Sequence, residues 1–284
     1  MRFKKYKNNE YLLTEDGIWV RDICQTNSTC VDLNSLSNDS DHRLFLANEL
    51  GNRKQGFGHF ETDNSHNPNV VIVSDGFRFS ERQGMLASLS RKDVAIIGVN
   101  RSLANWQLLG ENPLKRAMNW YLVNNPYAEC RKFLPTTHRY FPKCIASNRT
   151  SLEFTKRYEG NTYLYAPVPS KHYSGPTPDS MPFVDDYRNP ICAAIGVAWS
   201  MGAKKLMLFC CDDTFEDERP GAMQLENGFW SYPQQQTSRR VIDGLSYWLK
   251  REGVEIADCS HGTKLENAVY ISEEEDMKEF FSGV

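Results

Sequence analysis

One run of the sequence limits the fold more than any other: the apolar residues 70–73 (Val-Val-Ile-Val), which stop at Ser74, Asp75 and Gly76. The run has no polar side, which is typical of a central parallel strand covered on both faces. Neighbouring parallel strands need long crossover connections, usually helices, so a strand of this kind predicts helices around it. The sequence therefore favours an α/β protein built on an open parallel sheet.

The same pattern continues towards the end of the chain. Further apolar runs predict strands at 94–99, 120–123, 144–146, 206–211 and 254–257. Segments with helical periodicity or small residues predict helices at 79–90, 191–201 and 235–251. Strands that alternate with helices indicate right-handed βαβ units. We expect residues 68–284 to form a Rossmann-like domain, with a mostly parallel sheet and helices on both of its faces.

Residues 1–67 have a different character. Two apolar triplets, 11–13 and 18–20, flank a turn that contains Asp16 and Gly17, a pattern that predicts a β-hairpin. A helix is expected at 43–50, and the passage after it is rich in glycine and asparagine. We expect a small N-terminal elaboration that contains β-structure and precedes the Rossmann-like domain.

Charge and composition restrict the classes of function. The chain has 33 basic and 36 acidic residues and a formal net charge of −3, so general nucleic-acid binding is not expected. No apolar stretch approaches the roughly 18 residues that a membrane span needs. The motifs Gly-x-Gly-x-x-Gly and Gly-x-x-x-x-Gly-Lys-Ser/Thr are absent, which argues against a standard dinucleotide fold and a P-loop NTPase. The eight cysteines form no Cys-x-x-Cys pair, which favours free thiols and therefore a cytoplasmic protein. The sequence leaves open whether the protein is a monomer or an oligomer.

Polar residues follow the predicted strands, at the edge where ligands of open parallel sheets bind. Their side chains are of the kinds that hydrogen-bond a ribose, a base or a phosphate, and Gly76 would let its backbone approach a phosphate. We predict a nucleotide-binding site from the residues that share this position: Ser74, Asp75, Gly76, Asn100, Asn125 and Ser147. The alternative for each of them is an ordinary role in helix capping or in a turn.

Candidates for catalysis lie at a later strand end and in two long loops, 167–190 and 214–232. Asp212 and Asp213 follow a predicted strand, where they would orient a bound ligand; Asp212 would also hold a divalent metal such as Mg²⁺ through carboxylate oxygens. His172 and His261 lie in loops near strand ends, where a histidine can act as a general base. We take His172 and Tyr232 as the base candidates. The alternative is a solvated acidic loop and surface histidines.

Residues 189–212 carry a more specific pattern. A helix with many small residues is followed by Gly202, two lysines and an apolar strand that ends in Asp212. Together with Asn100 and the Asn125-Pro126 pair at the ends of earlier strands, this pattern resembles bacterial sialyltransferases of the lipooligosaccharide type and the related motility-accessory-factor glycosyltransferases. The resemblance consists of short matches and extends over residues 69–265.

This resemblance implies an enzyme that transfers a sugar from a nucleotide-activated donor, such as a cytidine-monophosphate sugar, to an acceptor that the sequence does not identify. The donor would be held by Ser74, Asp75, Gly76, Asn100 and Asn125, with Asp212 beside it. Two alternatives stay open. One is a Mg²⁺-dependent pyrophosphokinase or nucleotidyl-type transferase on the same scaffold, with the metal at Asp75 and at Asp212 or Asp213. The other is a binding or structural protein, because residues 230–236 lack the histidine that the resemblance leads us to expect.

Overall fold

The computed structural model describes residues 3–6, 9–13, 18–21, 40–60, 67–89, 92–106, 118–135, 141–167, 177–178, 181, 183–184, 189–212, 214–262 and 264–282. Within these ranges, the burial of side chains is described from residue 44 onwards, except at residues 46, 177–178, 183 and 234. The turn of the expected hairpin, at residues 14–17, and the catalytic candidates His172 and Asp213 lie outside the described residues.

Up to residue 167, the described part of the chain contains short strands and four α-helices. In chain order the elements are β1 (Phe3–Tyr6), β2 (Asn9–Leu13), β3 (Ile18–Arg21), α1 (Ser40–Lys54), β4 (Gly58–His59), β5 (Asn69–Val73), α2 (Phe79–Arg82), β6 (Ala95–Val99), α3 (Ser102–Trp106), β7 (Trp120–Val123), β8 (Lys143–Ser147), α4 (Leu152–Arg157) and β9 (Thr162–Pro167). Two 3₁₀ helices, Gln83–Ser88 and Ala128–Phe133, add to these.

The remaining elements follow β9 in the chain. They are β10 (Thr177–Pro178), β11 (Phe183–Val184), α5 (Pro190–Ser200), β12 (Lys205–Phe209), β13 (Thr214–Phe215), β14 (Met223–Gln224), β15 (Trp230–Ser231), α6 (Pro233–Arg251), β16 (Glu255–Cys259), β17 (Val269–Tyr270) and α7 (Glu274–Ser282).

The centre of the molecule is a parallel sheet in the order β11-β9-β8-β7-β6-β5-β12-β16-β17, with β4 paired to β9. Every strand pair described in it is parallel. The chain steps from β5 outwards to β9, then returns to the other side of β5 as β12 and continues to β16 and β17. The strand order therefore reverses between β5 and β12. This sheet with its helices confirms the Rossmann-like α/β fold.

Both faces of the sheet are covered, as the apolar run of β5 requires. Val71 and Val73 belong to one buried cluster, to which α2, α3, α4 and α7 contribute side chains. Val70 and Ile72 belong to a second cluster, which contains most of α5 and the buried residues of α6. Successive residues of a strand point to opposite faces, so a strand buried on both faces needs an apolar residue at every position.

Some elements differ from the expectation. The helix expected at 79–90 is a single turn, α2, followed by the 3₁₀ helix Gln83–Ser88, and Gly84 lies in this segment, where glycine weakens an α-helix. The strand β9 was not expected, since its sequence mixes aromatic and polar residues and ends in Pro167. The loop expected at 214–232 contains a three-stranded antiparallel sheet in the order β13-β15-β14.

The N-terminal region contacts the rest of the chain through β3, α1 and β4. A separate antiparallel sheet has the order β1-β2-β3-β10. In α1, the Asn52 amide donates to the carbonyl oxygens of Asn148 (3.0 Å) and Thr150 (2.7 Å), just beyond the end of β8. Thr155 donates to the Asn52 side-chain oxygen at 2.6 Å. These buried bonds hold α1 over the carboxyl end of β8, while a domain boundary at residue 67 stays a prediction.

Candidate functional site

The carboxyl ends of β5 and β12 meet where the strand order reverses, and we call this place the switch crevice (residues 74–76 and 210–212). The Ser74 N–H donates to the Phe209 carbonyl oxygen at 3.1 Å, and the Gly76 N–H donates to that of Cys210 at 3.0 Å. A Cβ at Gly76 would lie 2.3 Å from the carbonyl oxygens of Cys210 and Asp212. Glycine is therefore required here for close packing of two backbones.

Residues with strained, left-handed backbone conformations lie at the same edge of the sheet. Among the described residues other than glycine, a positive φ occurs at Arg78 (57°), Asn100 (54°) and Cys210 (49°). These residues follow β5, β6 and β12 respectively. Left-handed conformations are uncommon outside glycine and persist only where the surroundings enforce them, often at functional sites. The three strand ends are thus held in defined shapes.

The ends of β5 and β6 bring three predicted nucleotide-binding residues together. The Asn100 amide donates to the Ser74 hydroxyl at 3.4 Å, and the Arg101 N–H donates to Asp75 Oδ1 at 3.3 Å. The Tyr121 hydroxyl donates to the Asn100 carbonyl oxygen at 2.5 Å. Burial raises the pKa of Asp75 above its ordinary value, although the hydrogen bond from Arg101 acts in the opposite direction. A carboxylate, a hydroxyl and an amide converge here.

Asp212 lies on the β12 side of the crevice and is only 2% exposed. Its Oδ2 accepts hydrogen bonds from the His261 N–H (2.9 Å) and the Thr214 hydroxyl (3.0 Å). Its Oδ1 accepts none from any residue that the structure describes. No group of three or more His, Cys, Asp or Glu side chains in the described ranges is placed to hold a metal ion. A role of Asp212 as a metal ligand stays a prediction.

A buried ion pair lies behind Asp212. Arg239 of α6 donates through Nη2 to Asp258 Oδ2 at the end of β16, and both side chains are less than a tenth exposed. Burial raises the pKa of Asp258, and the neighbouring Arg239 guanidinium opposes that rise. Sequence analysis missed this pair, because the two residues lie on different elements and neither belongs to a motif.

Three aromatic rings lie in front of the crevice. Phe77 lies 5.0 Å from Phe229 and 5.9 Å from His261, measured between ring centroids. Burial lowers the pKa of His261, and the positive charge of Arg82 lowers it further, which favours a neutral imidazole. In the sequence, His261 is a possible general base near a strand end, and Phe77 belongs to the turn after the first buried strand without a role of its own. Both lie at the strand ends.

Other predicted residues have local roles. The Asn125 side-chain oxygen accepts from the Tyr127 N–H at 2.8 Å, which forms a turn. Ser147 is buried, and its hydroxyl accepts from the Arg149 N–H at 3.2 Å. The Tyr232 ring packs on Phe215 with centroids 5.3 Å apart, directly before α6. A part in nucleotide binding or catalysis stays a prediction for all three.

Asp75→Asn is expected to stabilise the protein at pH 7. A carboxyl with a raised pKa in the folded state costs folding free energy while it is ionised, and this cost disappears as pH falls through the raised pKa. The asparagine side chain would keep an oxygen for the Arg101 N–H without the charge. Urea denaturation should show a gain at pH 7 that shrinks as the pH falls towards 3.8, the ordinary pKa of an aspartate. A gain of the same size at both pH values would contradict the account. Asp217→Asn makes the same change at an exposed position and serves as the control.

Comparisons with known proteins support the fold. No family model matches the chain, and neither does any curated protein. A solved structure, the MAf glycosyltransferase from Magnetospirillum magneticum AMB-1, matches with a TM-score of 0.63 and 17% sequence identity. The match covers 85% of this chain and 40% of that protein, so the chain spans well under half of its length. The resemblance to motility-accessory-factor glycosyltransferases thus holds at the level of the fold.

The helices of the described residues do not meet the requirements of a membrane span. None of them combines the length and the apolar character that a crossing needs. The longest, α6, has 19 residues, and its sequence contains glutamines and arginines throughout its first half. Its buried residues pack against the sheet.

Proposed function

We propose that the chain is a glycosyltransferase that uses a nucleotide-activated sugar, with the nucleotide bound at the switch crevice. The observation that carries this proposal is the reversal of strand order between β5 and β12, because open α/β sheets bind ligands outside the carboxyl ends of strands at such a point. The fold shared with a MAf glycosyltransferase adds to it. The nature of the sugar and of the acceptor is left to experiment.

The side chains at this edge suit the parts of a nucleotide. The Asp75 carboxylate would accept from a ribose hydroxyl, as acidic residues do in other Rossmann-type sites. The Ser74 hydroxyl and the Asn100 amide would bind a phosphate or a base edge. The rings of Phe77 and Phe229 offer apolar faces on which a base or a sugar would pack. Asn125 and Ser147 would extend the site towards β7 and β8.

The chemical step needs a base and a leaving group. The acceptor hydroxyl oxygen forms a bond to the anomeric carbon, while the bond from that carbon to the phosphate oxygen breaks and the nucleotide leaves with the electron pair. Asp212, Asp213, His172 and Tyr232 are the candidates to take the hydroxyl proton, and the neutral His261 joins them. Asp212 is the residue that would hold a Mg²⁺ ion, which would supply positive charge near the leaving phosphate.

A thermal-shift screen tests the proposal. Cytidine and uridine nucleotides and their sugar conjugates should raise the melting temperature, since a ligand that binds only the folded state stabilises it. Asp75→Ala and Asn100→Gly should each abolish the shift relative to their own unliganded melting temperatures; glycine tolerates the positive φ of position 100. The exposed Asn161→Gly, at the opposite end of the strands, should keep it.

The outcomes separate the candidate functions. A shift with pyrimidine nucleotides in the absence of metal supports a glycosyltransferase. Stabilisation by ATP alone, and only with Mg²⁺, would favour the pyrophosphokinase or nucleotidyl transferase instead. The absence of a shift with every nucleotide would contradict both enzymes and leave a binding or structural protein that has the same fold.

A further inference from the structure

The arrangement of groups at the end of β6 depends on the backbone of one residue, Asn100. Its conformation is left-handed, with a φ of 54°. Its side-chain amide donates to the Ser74 hydroxyl at 3.4 Å, and the N–H of the next residue, Arg101, donates to Asp75 Oδ1 at 3.3 Å. An extended or right-handed backbone at Asn100 would turn both donors in other directions. The left-handed conformation is therefore the one that joins the ends of β5 and β6.

This conformation needs support from the surrounding structure. Asparagine enters the left-handed region more readily than most residues, yet the region is still less favourable than the extended and right-handed ones. Its cost is comparable to the net contribution of a hydrogen bond. A single well-placed bond to the backbone of Asn100 is therefore enough to decide how fully the conformation is populated.

Tyr121, on the neighbouring strand β7, supplies such a bond. Its hydroxyl donates to the Asn100 carbonyl oxygen at 2.5 Å. The Tyr121 ring is 0% exposed and packs against Phe154 and Tyr158, each with its ring centroid 6.2 Å away. Burial raises the pKa of Tyr121 well above its ordinary value, so the hydroxyl is protonated at neutral pH and acts as a donor. Because the ring is fixed by its packing, the hydroxyl also fixes the direction of the Asn100 carbonyl.

We propose that Tyr121 is a positioning residue for the nucleotide, because its hydroxyl holds Asn100 in the conformation that presents the side-chain amide to the ligand. This inference rests on the proposed function. Tyr121 is buried beneath the end of β6 and acts through Asn100. It keeps the site in its binding shape before the ligand arrives, which increases the fraction of molecules that are able to bind.

Tyr121→Phe tests the inference, because it removes the hydroxyl and keeps the ring. Cytidine and uridine monophosphate are the probes, and calorimetric titration measures the affinity of the one that raises the wild-type melting temperature more. That affinity should fall about tenfold in the variant, since fewer molecules have Asn100 in the binding conformation. The backbone carbon chemical shifts of Asn100 report its conformation without any ligand. In protein with isotope-labelled asparagine, these shifts should move away from left-handed values.

Tyr158→Phe is the matched control. Tyr158 packs against Tyr121, and its buried hydroxyl also donates to a carbonyl oxygen, that of Pro142, at 2.6 Å. Pro142 precedes β8 and so lies at the opposite end of the strands from the crevice. Each variant loses one short, buried hydrogen bond, and both should therefore show a similar fall in melting temperature. Only Tyr121→Phe should lose nucleotide affinity and change the signals of Asn100.

The outcomes distinguish the inference from the proposed function. The inference is overturned if the wild type binds a nucleotide and Tyr121→Phe binds it as well as Tyr158→Phe does. It is also overturned if the Asn100 signals of Tyr121→Phe match those of the wild type. A wild-type protein that binds neither nucleotide contradicts the proposed function instead, and the Asn100 signals alone then decide whether Tyr121 holds this strand end.

Discussion

Arg239→Met is expected to lower the free energy of unfolding by about 4 kcal/mol at pH 7. The guanidinium is the partner that opposes the raised pKa of Asp258, and both side chains are buried. Methionine preserves most of the apolar stem but leaves the Asp258 carboxylate without its charge partner. An uncompensated charge in a protein interior costs more than the pair itself contributes. Urea denaturation monitored by circular dichroism measures the effect.

Two further variants show that the buried charge is the cause. Arg240→Met makes the same change at the exposed neighbouring position and should alter stability by no more than about 0.5 kcal/mol. Arg239→Met combined with Asp258→Leu removes both charges and should recover most of the loss. A single Arg239→Met variant with wild-type stability would show that Asp258 does not depend on Arg239.

Gly76→Ala is expected to cost about 3 kcal/mol and to abolish nucleotide binding. The added Cβ would lie 2.3 Å from two backbone carbonyl oxygens and 2.4 Å from Asp212 Oδ1, all far below contact distance. Backbone atoms of β12 cannot move aside as a flexible side chain would. The two sides of the switch crevice would therefore separate, and the hydrogen bond from Gly76 to Cys210 would break.

Gly84→Ala is the matched control for this change. A Cβ at Gly84 meets nothing within 4 Å, and its φ is not positive, so alanine should leave stability unchanged or raise it by up to about 1 kcal/mol. Thermal denaturation and nucleotide titration of both variants measure the effects. The account would be contradicted if Gly76→Ala had the same melting temperature and the same nucleotide affinity as Gly84→Ala. The close packing of β5 on β12 would then not hold the crevice together.

The parts of the fold that depend on local sequence could be predicted. The β5 run indicated a strand buried on both faces, and it lies at the centre of the sheet with residues in both clusters. The position of Asp212 directly after an apolar run indicated a strand end, and the structure places it there. In these cases the signal is the burial pattern itself, which a short segment carries without help from distant residues.

The parts that depend on distant contacts could not be predicted. Ser147 follows a strand as Ser74 does, yet only the structure shows that α1 lies over the end of β8, held there by Asn52. The partner of Asp258 lies on α6, on a different element and 19 residues away in the chain. A sequence pattern indicates that a residue is polar and follows a strand, but not what the fold brings against it.

The central claim is that a nucleotide binds outside the carboxyl ends of β5, β6 and β12. A crystal structure of the chain with cytidine or uridine monophosphate tests it most directly. The account predicts the nucleotide at the switch crevice, with Ser74, Asp75 or Asn100 within hydrogen-bond distance of it. A nucleotide bound elsewhere, or a crevice without nucleotide at concentrations that raise the melting temperature, would contradict it.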